Sequence, residues 1–310
     1  MESNAALSVF VTGASGFFGR AVTRALVAGG NSVTGQTNGS SGASAVREDG
    51  GLPCYSDLTR AGEIKSMLTM AKADVVVHMA TQAFNHIPHR NGVWDEDFLH
   101  RSTAAVLEAA QTAGVKLLIL PTYAFIYGDT KGEWVDETAT RKGDLIHAAK
   151  MEDSVLNSGI GTVLRSGYVY GAGSEALKAV ANALRNGRSV ILGSSSAYSN
   201  WIHAQDLARA VALAAAQMPA GEVFNIVDDT PTSPPQFIAN FADSLGLHAP
   251  SRGMSFFNRP SKTQATLLTT SLRVKNDKAK QKLGWTPKYA NSKQGLDDVM
   301  VEWRAQAVSV

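Results

Sequence analysis

The sequence predicts a doubly wound α/β fold, a parallel sheet with helices on both faces, completed by a smaller region toward the C-terminus. Three observations predict it. Short apolar runs alternate with helix-period segments over the first two-thirds of the 310 residues, the pattern of consecutive strand–helix units. A turn with glycines at 13, 16 and 19 joins the first apolar run to the first helix-period segment. The composition, 44% hydrophobic and 18% charged, is that of a chain able to build a core.

The elements follow in order. Leu7–Val11 reads as a buried strand, and residues 17–29 as a helix stopped by Gly29 and Gly30. Residues 32–35 form the second strand, and 38–51, rich in Gly and Ser, read as a loop. A short strand at 52–56 precedes a helix at 60–71, and Asp74–His78 is the fourth strand. A helix at 97–113 ends at Gly114, a strand fills 115–120, a helix at 144–158 ends at Gly159, and a strand occupies 161–164. Beyond Tyr170 helices are expected at 174–186, 205–217, 234–245 and 293–305, with short strands near 190 and at 223–227.

Bulk properties exclude several function classes. The formal net charge is +2, from 29 basic and 27 acidic residues, so no broad field draws the chain to nucleic acid or anionic membrane. Cys54 is the single cysteine; no internal disulfide and no cysteine metal cluster can form, which fits a cytoplasmic setting. The first residues carry no signal-peptide pattern. No apolar run approaches the roughly 18–20 residues needed to span a bilayer.

Thr12-Gly-Ala-Ser-Gly-Phe-Phe-Gly19 carries the chemistry. Gly13 permits a tight turn out of the strand, Gly16 lets backbone approach a pyrophosphate, and Gly19 allows close helix–strand packing. The helix start adds free N–H groups and a partial positive charge. The segment reads as a cradle for NAD or NADP. After the second strand, Gln36-Thr-Asn-Gly39 has no acid to hold the adenosine ribose hydroxyls. A carboxylate there would repel a 2′-phosphate. Its absence, with Arg20 after the third glycine and Arg47 further on, tilts the reading to NADP.

This spacing resembles the extended short-chain dehydrogenase/reductase family, the NAD-dependent epimerases and dehydratases. The resemblance runs through the chain. Asp57-Leu58 is similar to the segment contacting adenine, His78-Met-Ala80 to the fourth-strand end beside the cofactor, and Val106–Val115 to the long helix before the fifth strand. Ile126-Tyr-Gly128, Leu164-Arg165, Tyr168-Val-Tyr-Gly171, Trp201–Leu207 and Leu283-Gly-Trp-Thr-Pro287 resemble later signatures. The resemblance implies a Rossmann domain over residues 1–170, with 200–228 returning to it, and a smaller substrate-binding region from 171–199 and 229–310. Together with the glycine turn it assigns Gly13, Ser15, Gly16, Phe17, Phe18, Gly19, Arg20, Asn38, Asp57, Leu58, Met79, Ala80, Thr81 and Lys150 to the cofactor.

The catalytic positions depart from the family pattern. Its Tyr-x-x-x-Lys pair, set on one helix face by its spacing, keeps Lys150 but has Ile146 in place of tyrosine. The family's Ser or Thr at the end of the fifth strand falls on Tyr123, preceded by Thr122. Three readings stand. Tyr123 has taken over the proton transfer, with Lys150 holding the ribose and favouring the phenolate and Thr122 assisting; catalysis is lost; or another donor such as His147 serves.

The arginine with which nucleotide-sugar relatives grip a diphosphate is Ser199 here, and an asparagine common in the sixth-strand motif is Tyr168. A smaller, less charged carbonyl or alcohol substrate is expected, with Phe84, Asn85, His86, Trp94 and Tyr168 as candidate neighbours. His86 and His89, with Pro88 between them and no third ligand in view, make a poor metal site, and no metal is expected. The helices near 97–113 and 144–158 resemble the family's dimer faces, which implies a homodimer. The reading is an NAD(P)-dependent oxidoreductase. Its alternatives are an epimerase or dehydratase with tightly bound NAD and a non-catalytic dinucleotide sensor, the latter favoured by Ile146.

Overall fold

Val75–His78 and Leu117–Tyr123 have no exposed residue, as expected of strands in a parallel sheet covered on both faces. The computed structural model describes residues 6–79, 96–142, 147–188, 190, 194–249 and 269–308. Among these residues the main sheet has seven strands, all parallel. From one edge to the other these are β3 (Leu52–Cys54), β2 (Ser32–Gln36), β1 (Ser8–Thr12), β4 (Val75–His78), β5 (Leu117–Tyr123), β7 (Gly161–Ser166) and β10 (Val223–Ile226). The chain winds outward from β1 to β3, then returns to β4 beside β1 and winds the other way. Ligands of such sheets bind outside the carboxyl ends at this reversal.

Helices cover both faces. α1 (Phe17–Ala28) packs against α7 (Ala204–Gln217) on one side. α3 (Ala61–Ala71), α4 (Glu96–Thr112) and α5 (His147–Leu156) pack in series on the other. In α1, Phe18, Ala21, Val22 and Leu26 are buried, the one-sided spacing of an amphipathic helix. The chain leaves it through Gly30, whose φ of +81° suits glycine.

One expectation is overturned within 38–51. Ser40–Glu48 forms a helix, α2. Its serines and glycines signal a loop by propensity, but Ala43 and Val46 are buried three residues apart, and tertiary packing outweighs a weak local preference. Of the strand expected near 190, residue 190 is irregular, and 189 and 191–193 lie outside the described residues. β5 runs on to Tyr123, beyond its expected end, because Thr122 and Tyr123 pair with Arg165 and Ser166 of β7.

Two small parallel pairs extend the carboxyl edge. β8 (Tyr168–Tyr170) pairs with β9 (Trp201–His203), and β6 (Trp134–Val135) with β11 (Arg273–Val274). Gly167 links β7 to β8, where a Cβ would stand 2.4 Å from the Asn200 carbonyl oxygen. α6 (Glu175–Arg185) and α8 (Pro234–Ser244) start at Ser174 and Ser233, whose hydroxyls accept the N–H groups of Leu177 and Gln236. α9 (Asp277–Leu283) and α10 (Ser292–Val308) finish the fold, with α10 packed on α8. Buried Trp285 fastens this tail to α7 by donating to the Asp206 carbonyl at 2.9 Å.

Candidate active site

A cleft of about 900 Å³ opens at the carboxyl ends of β1 to β4. It is lined by Gly13, Ser15 and Gly16 of the glycine turn, by residues 36–39 and 56–58, and by Met79 and Phe98. Gly13 adopts φ +62°, a left-handed conformation that costs other residues energy. A Cβ at Gly19 would stand 2.2 Å from the Gly13 carbonyl oxygen, so the helix can press on the turn only with glycine there. Gly16 caps α1 without a side-chain partner, and the first turn holds no acid. Bare backbone and an uncapped helix start fit the phosphates of a dinucleotide.

Of the residues assigned to the cofactor from sequence, Gly13, Ser15, Gly16, Asn38, Asp57, Leu58 and Met79 line this cleft. Phe18 is instead a core residue. Phe17 turns toward the segment after β8, where a Cβ on Gly171 or Gly173 would touch its ring at 3.3 or 3.1 Å. Ala80 and Thr81 lie outside the described residues. Sequence reasoning missed Gln36, Thr37, Gly39, Ser41, Gly42, Ala45, Ser56 and Phe98. The three from α2 were hidden because their segment reads as a loop.

The second-strand end is neutral and tightly organised. Gln36 Oε1 accepts the Gly13 N–H at 3.1 Å, while its Nε2 donates to Asn38 Oδ1 and the Ser56 carbonyl, each at 3.0 Å. Ser15 and Thr37 share a hydroxyl hydrogen bond of 2.8 Å. Gly42 of α2 fits against them; a Cβ there would meet Thr37 Oγ1 at 2.0 Å. Asp57 is occupied with Thr59 and Arg60, and the Thr59 hydrogen bonds hold its pKa below the usual carboxylate value.

Arg20 requires a correction. Its guanidinium is bound to Asp49 at 2.7 Å and Glu48 at 3.1 Å, at the far end of α2 from the cleft. Those acids, read as part of a loop, become a helix terminus that captures it. Arg20 is therefore no argument for a 2′-phosphate.

Thr122 and Tyr123 are neighbours on β5 and project to opposite faces. Thr122 donates to Glu152 Oε1 of α5 at 2.7 Å. Glu152 holds Arg165 at 2.6 Å, Arg165 donates to the Tyr127 hydroxyl at 2.7 Å, and Tyr127 donates to Asn225 Oδ1 at 2.8 Å. All five side chains are buried. Burial alone would lower the Arg165 pKa, but Glu152 outweighs it and raises it. Burial pushes the Tyr127 phenol up to about 12. Thr122 is thus a tie between strand and helix, and its expected assistance at a substrate oxygen is not what its hydroxyl does here.

Tyr123 is buried at the strand end, on the face away from Glu152. Lys150 is exposed on α5, about 200° around the helix from Glu152. The two start from opposite sides of the sheet and can meet only over its carboxyl edge. Position 146 lies outside the described residues, and α5 begins at His147.

On the substrate side, Tyr168 is buried against Phe125 and Trp201, with ring centroids 4.4 and 5.0 Å away. Burial raises its pKa well above a free phenol's, so it stays protonated. Phe84, Asn85, His86, His89 and Trp94 lie outside the described residues. Beside the cleft, fully buried His78 pairs through Nδ1 with Thr12 Oγ1 at 2.9 Å; burial lowers its pKa to about 4.

A doubly wound sheet with a glycine-lined cleft at its strand reversal defines a dinucleotide-binding α/β protein. The chain belongs to the NAD dependent epimerase/dehydratase family, whose family model matches residues 9–227. It is similar to a 3-diazoavenalumate denitrifying reductase from a Streptomyces species, at 26% identity over 94% of this chain and 99% of that protein. It is equally similar, at 26% over 94% of this chain and 95% of the other, to a 4-hydroxy-2-methyl-3-oxo-4-farnesyl-3,4-dihydroquinoline-1-oxide ketoreductase from Stigmatella aurantiaca. Among solved structures it shares its fold with UDP-glucose 4-epimerase from Thermotoga maritima, with a TM-score of 0.79 and 23% identity over 96% of this chain and 99% of that one. It also shares it with dTDP-glucose 4,6-dehydratase from Streptomyces venezuelae, with a TM-score of 0.80 and 19% identity over 97% and 98%. No helix among the described residues is long and apolar enough to cross a membrane.

Proposed function

We propose that this chain is an NAD(P)-dependent reductase of a small carbonyl compound, with NADP preferred. The observation that carries the reading is the cleft: a phosphate cradle whose ribose end is neutral. Both curated relatives named above are reductases, one of them a ketoreductase, which supports reduction over epimerisation. When bound, the nicotinamide supplies the hydride. Gly13, Gly16 and the start of α1 hold the pyrophosphate, and Leu58 packs beside the adenine. Asn38, Ser41 and the uncapped start of α2 at Gly39 receive the 2′-phosphate, with no acid in that first turn. Tyr123 gives the proton to the carbonyl oxygen, and Lys150 holds the nicotinamide ribose. A homodimer forms through α4 and α5.

Fluorescence titration should give tighter binding of NADPH than NADH; an NADH preference removes the NADP assignment. Tyr123→Phe should abolish ketone turnover while leaving cofactor affinity nearly intact, and unchanged turnover would reject Tyr123 as the proton donor. A second reading, a non-catalytic dinucleotide sensor, is favoured by Ile146. Cofactor binding without turnover of any ketone or alcohol in a broad panel decides for it. NAD that stays bound through gel filtration points instead to an epimerase or dehydratase.

A further inference from the structure

The carboxyl edge beyond Tyr123 is built in two rows. Tyr123 of β5 pairs with Ser166 of β7, and Tyr168 of β8 pairs with Trp201 of β9. Two residues before Tyr168 and Trp201 stand Ser166, the last residue of β7, and Ser199, which precedes β9. The first row, Tyr123, Ser166 and Ser199, consists of hydroxyls. Two residues further along each segment lies the second row, Phe125, Tyr168 and Trp201. Its rings are in contact, with centroids 4.4 and 5.0 Å apart. No Asp, Glu, Lys or Arg stands among the six.

Two of these hydroxyls have no partner among the described residues. Tyr168 Oη and Ser199 Oγ are buried and make no hydrogen bond among the described residues, on residues 5% and 0% exposed. Ser199 stands two residues before β9, and the carbonyl of its neighbour Asn200 accepts the Tyr168 N–H at 2.8 Å, so both hydroxyls belong to the junction of β8 with β9. Folded proteins rarely leave buried hydroxyls unpaired, and where they do an absent partner is the usual explanation. Both hydroxyls stand beyond the carboxyl end of β7, on the same side of the sheet as the cleft at the reversal.

We propose that this edge selects an aromatic carbonyl substrate. Its ring lies along the Phe125–Tyr168–Trp201 row, and a polar ring substituent (a hydroxyl, oxo or N-oxide oxygen) accepts from Tyr168, with Ser199 as the second hydroxyl. Neutral walls exclude a diphosphate, and planar rings pack on aromatic rows in tilted or offset contact. The proposal rests on the reductase reading for the fate of the carbonyl, but the recognition it describes is independent of turnover.

The test uses the full chain loaded with NADP. Calorimetric titration compares a non-reducible hydroxyaryl amide with its hydroxycyclohexyl counterpart, and turnover with NADPH compares the matching aryl and cyclohexyl ketones. The aryl ligand is expected to bind at least tenfold tighter. Tyr168→Phe should weaken it about tenfold, the loss expected for one buried hydrogen bond, while binding of the ring lacking the hydroxyl is unchanged. Equal binding of aryl and cyclohexyl ligands, or of neither, overturns the proposal without needing any variant. So does a Tyr168→Phe protein of unchanged melting temperature that binds the hydroxyaryl ligand as wild type does. Tight aryl binding without reduction of any ketone would keep the aromatic site and reject the reductase reading; equal reduction of both ketones with equal binding would do the reverse.

Discussion

Glu152 is the residue on which the interior of the sheet is balanced. It neutralises Arg165 where both are buried, and it also takes the Thr122 hydroxyl. Removing one member of a buried ion pair leaves a charge without compensation, at a cost of roughly 3–5 kcal/mol. Glu152→Gln should therefore lower the free energy of unfolding by about that amount in urea titration. Adding Arg165→Met should restore part of it, since no charge is then left unpaired. A single variant as stable as wild type would show that the pair carries no such weight. Arg165 stood in a motif that the sequence displays, but its partner did not. Nothing in the order of residues 122, 127, 152, 165 and 225 says that they converge, because a network of this kind is joined across strands and helices rather than along the chain.

At the level of elements, the joint between β1 and α1 was legible in full. The three-glycine spacing fixes a tight turn, and the turn fixes where the helix begins. Gly19→Ala puts a methyl group 2.2 Å from the Gly13 carbonyl oxygen and 2.8 Å from Ala14 Cα. Backbone cannot step aside as a side-chain tip can, so overpacking of about 1–3 kcal/mol is expected. Thermal melts should show the loss, and NADPH affinity should fall with it; a variant with unaltered melting and binding would mean the helix does not need that proximity. α2 was not legible. Its Ser-Gly-Ala-Ser composition says loop, and only burial of Ala43 and Val46 against the sheet makes it a helix. That one difference hid Ser41, Gly42 and Ala45 from the list of cleft residues and left Arg20 looking free.

For the molecule as a whole, two buried histidines set an acid limit. His78 and His203 have pKa values lowered by burial from 6.5 to about 4. The unfolded chain takes up these protons below pH 6.5, the folded one only near pH 4. Their contribution is complete above 6.5 and is lost as pH falls toward 4, by roughly 3 kcal/mol for each. Urea midpoints should drop over that window, and His78→Gln should remove about half of the drop. Midpoints level from pH 7 to 4.5 would contradict the burial of both rings.

The sequence by itself determined the parallel sheet, the glycine cradle at its strand reversal and the absence of an acid at the end of β2. Each is written in local order: periodicity, spacing, or the identity of one residue next to a known turn. Tertiary structure alone decided that residues 40–48 are helical, that Arg20 is held by Asp49 rather than free for a phosphate, that Thr122 serves the core, and that the hydroxyls of Tyr168 and Ser199 are buried without a partner among the described residues. These depend on packing between segments tens of residues apart, where burial and charge pairing outweigh local preference, and such long-range energies leave no mark in any short window of the chain.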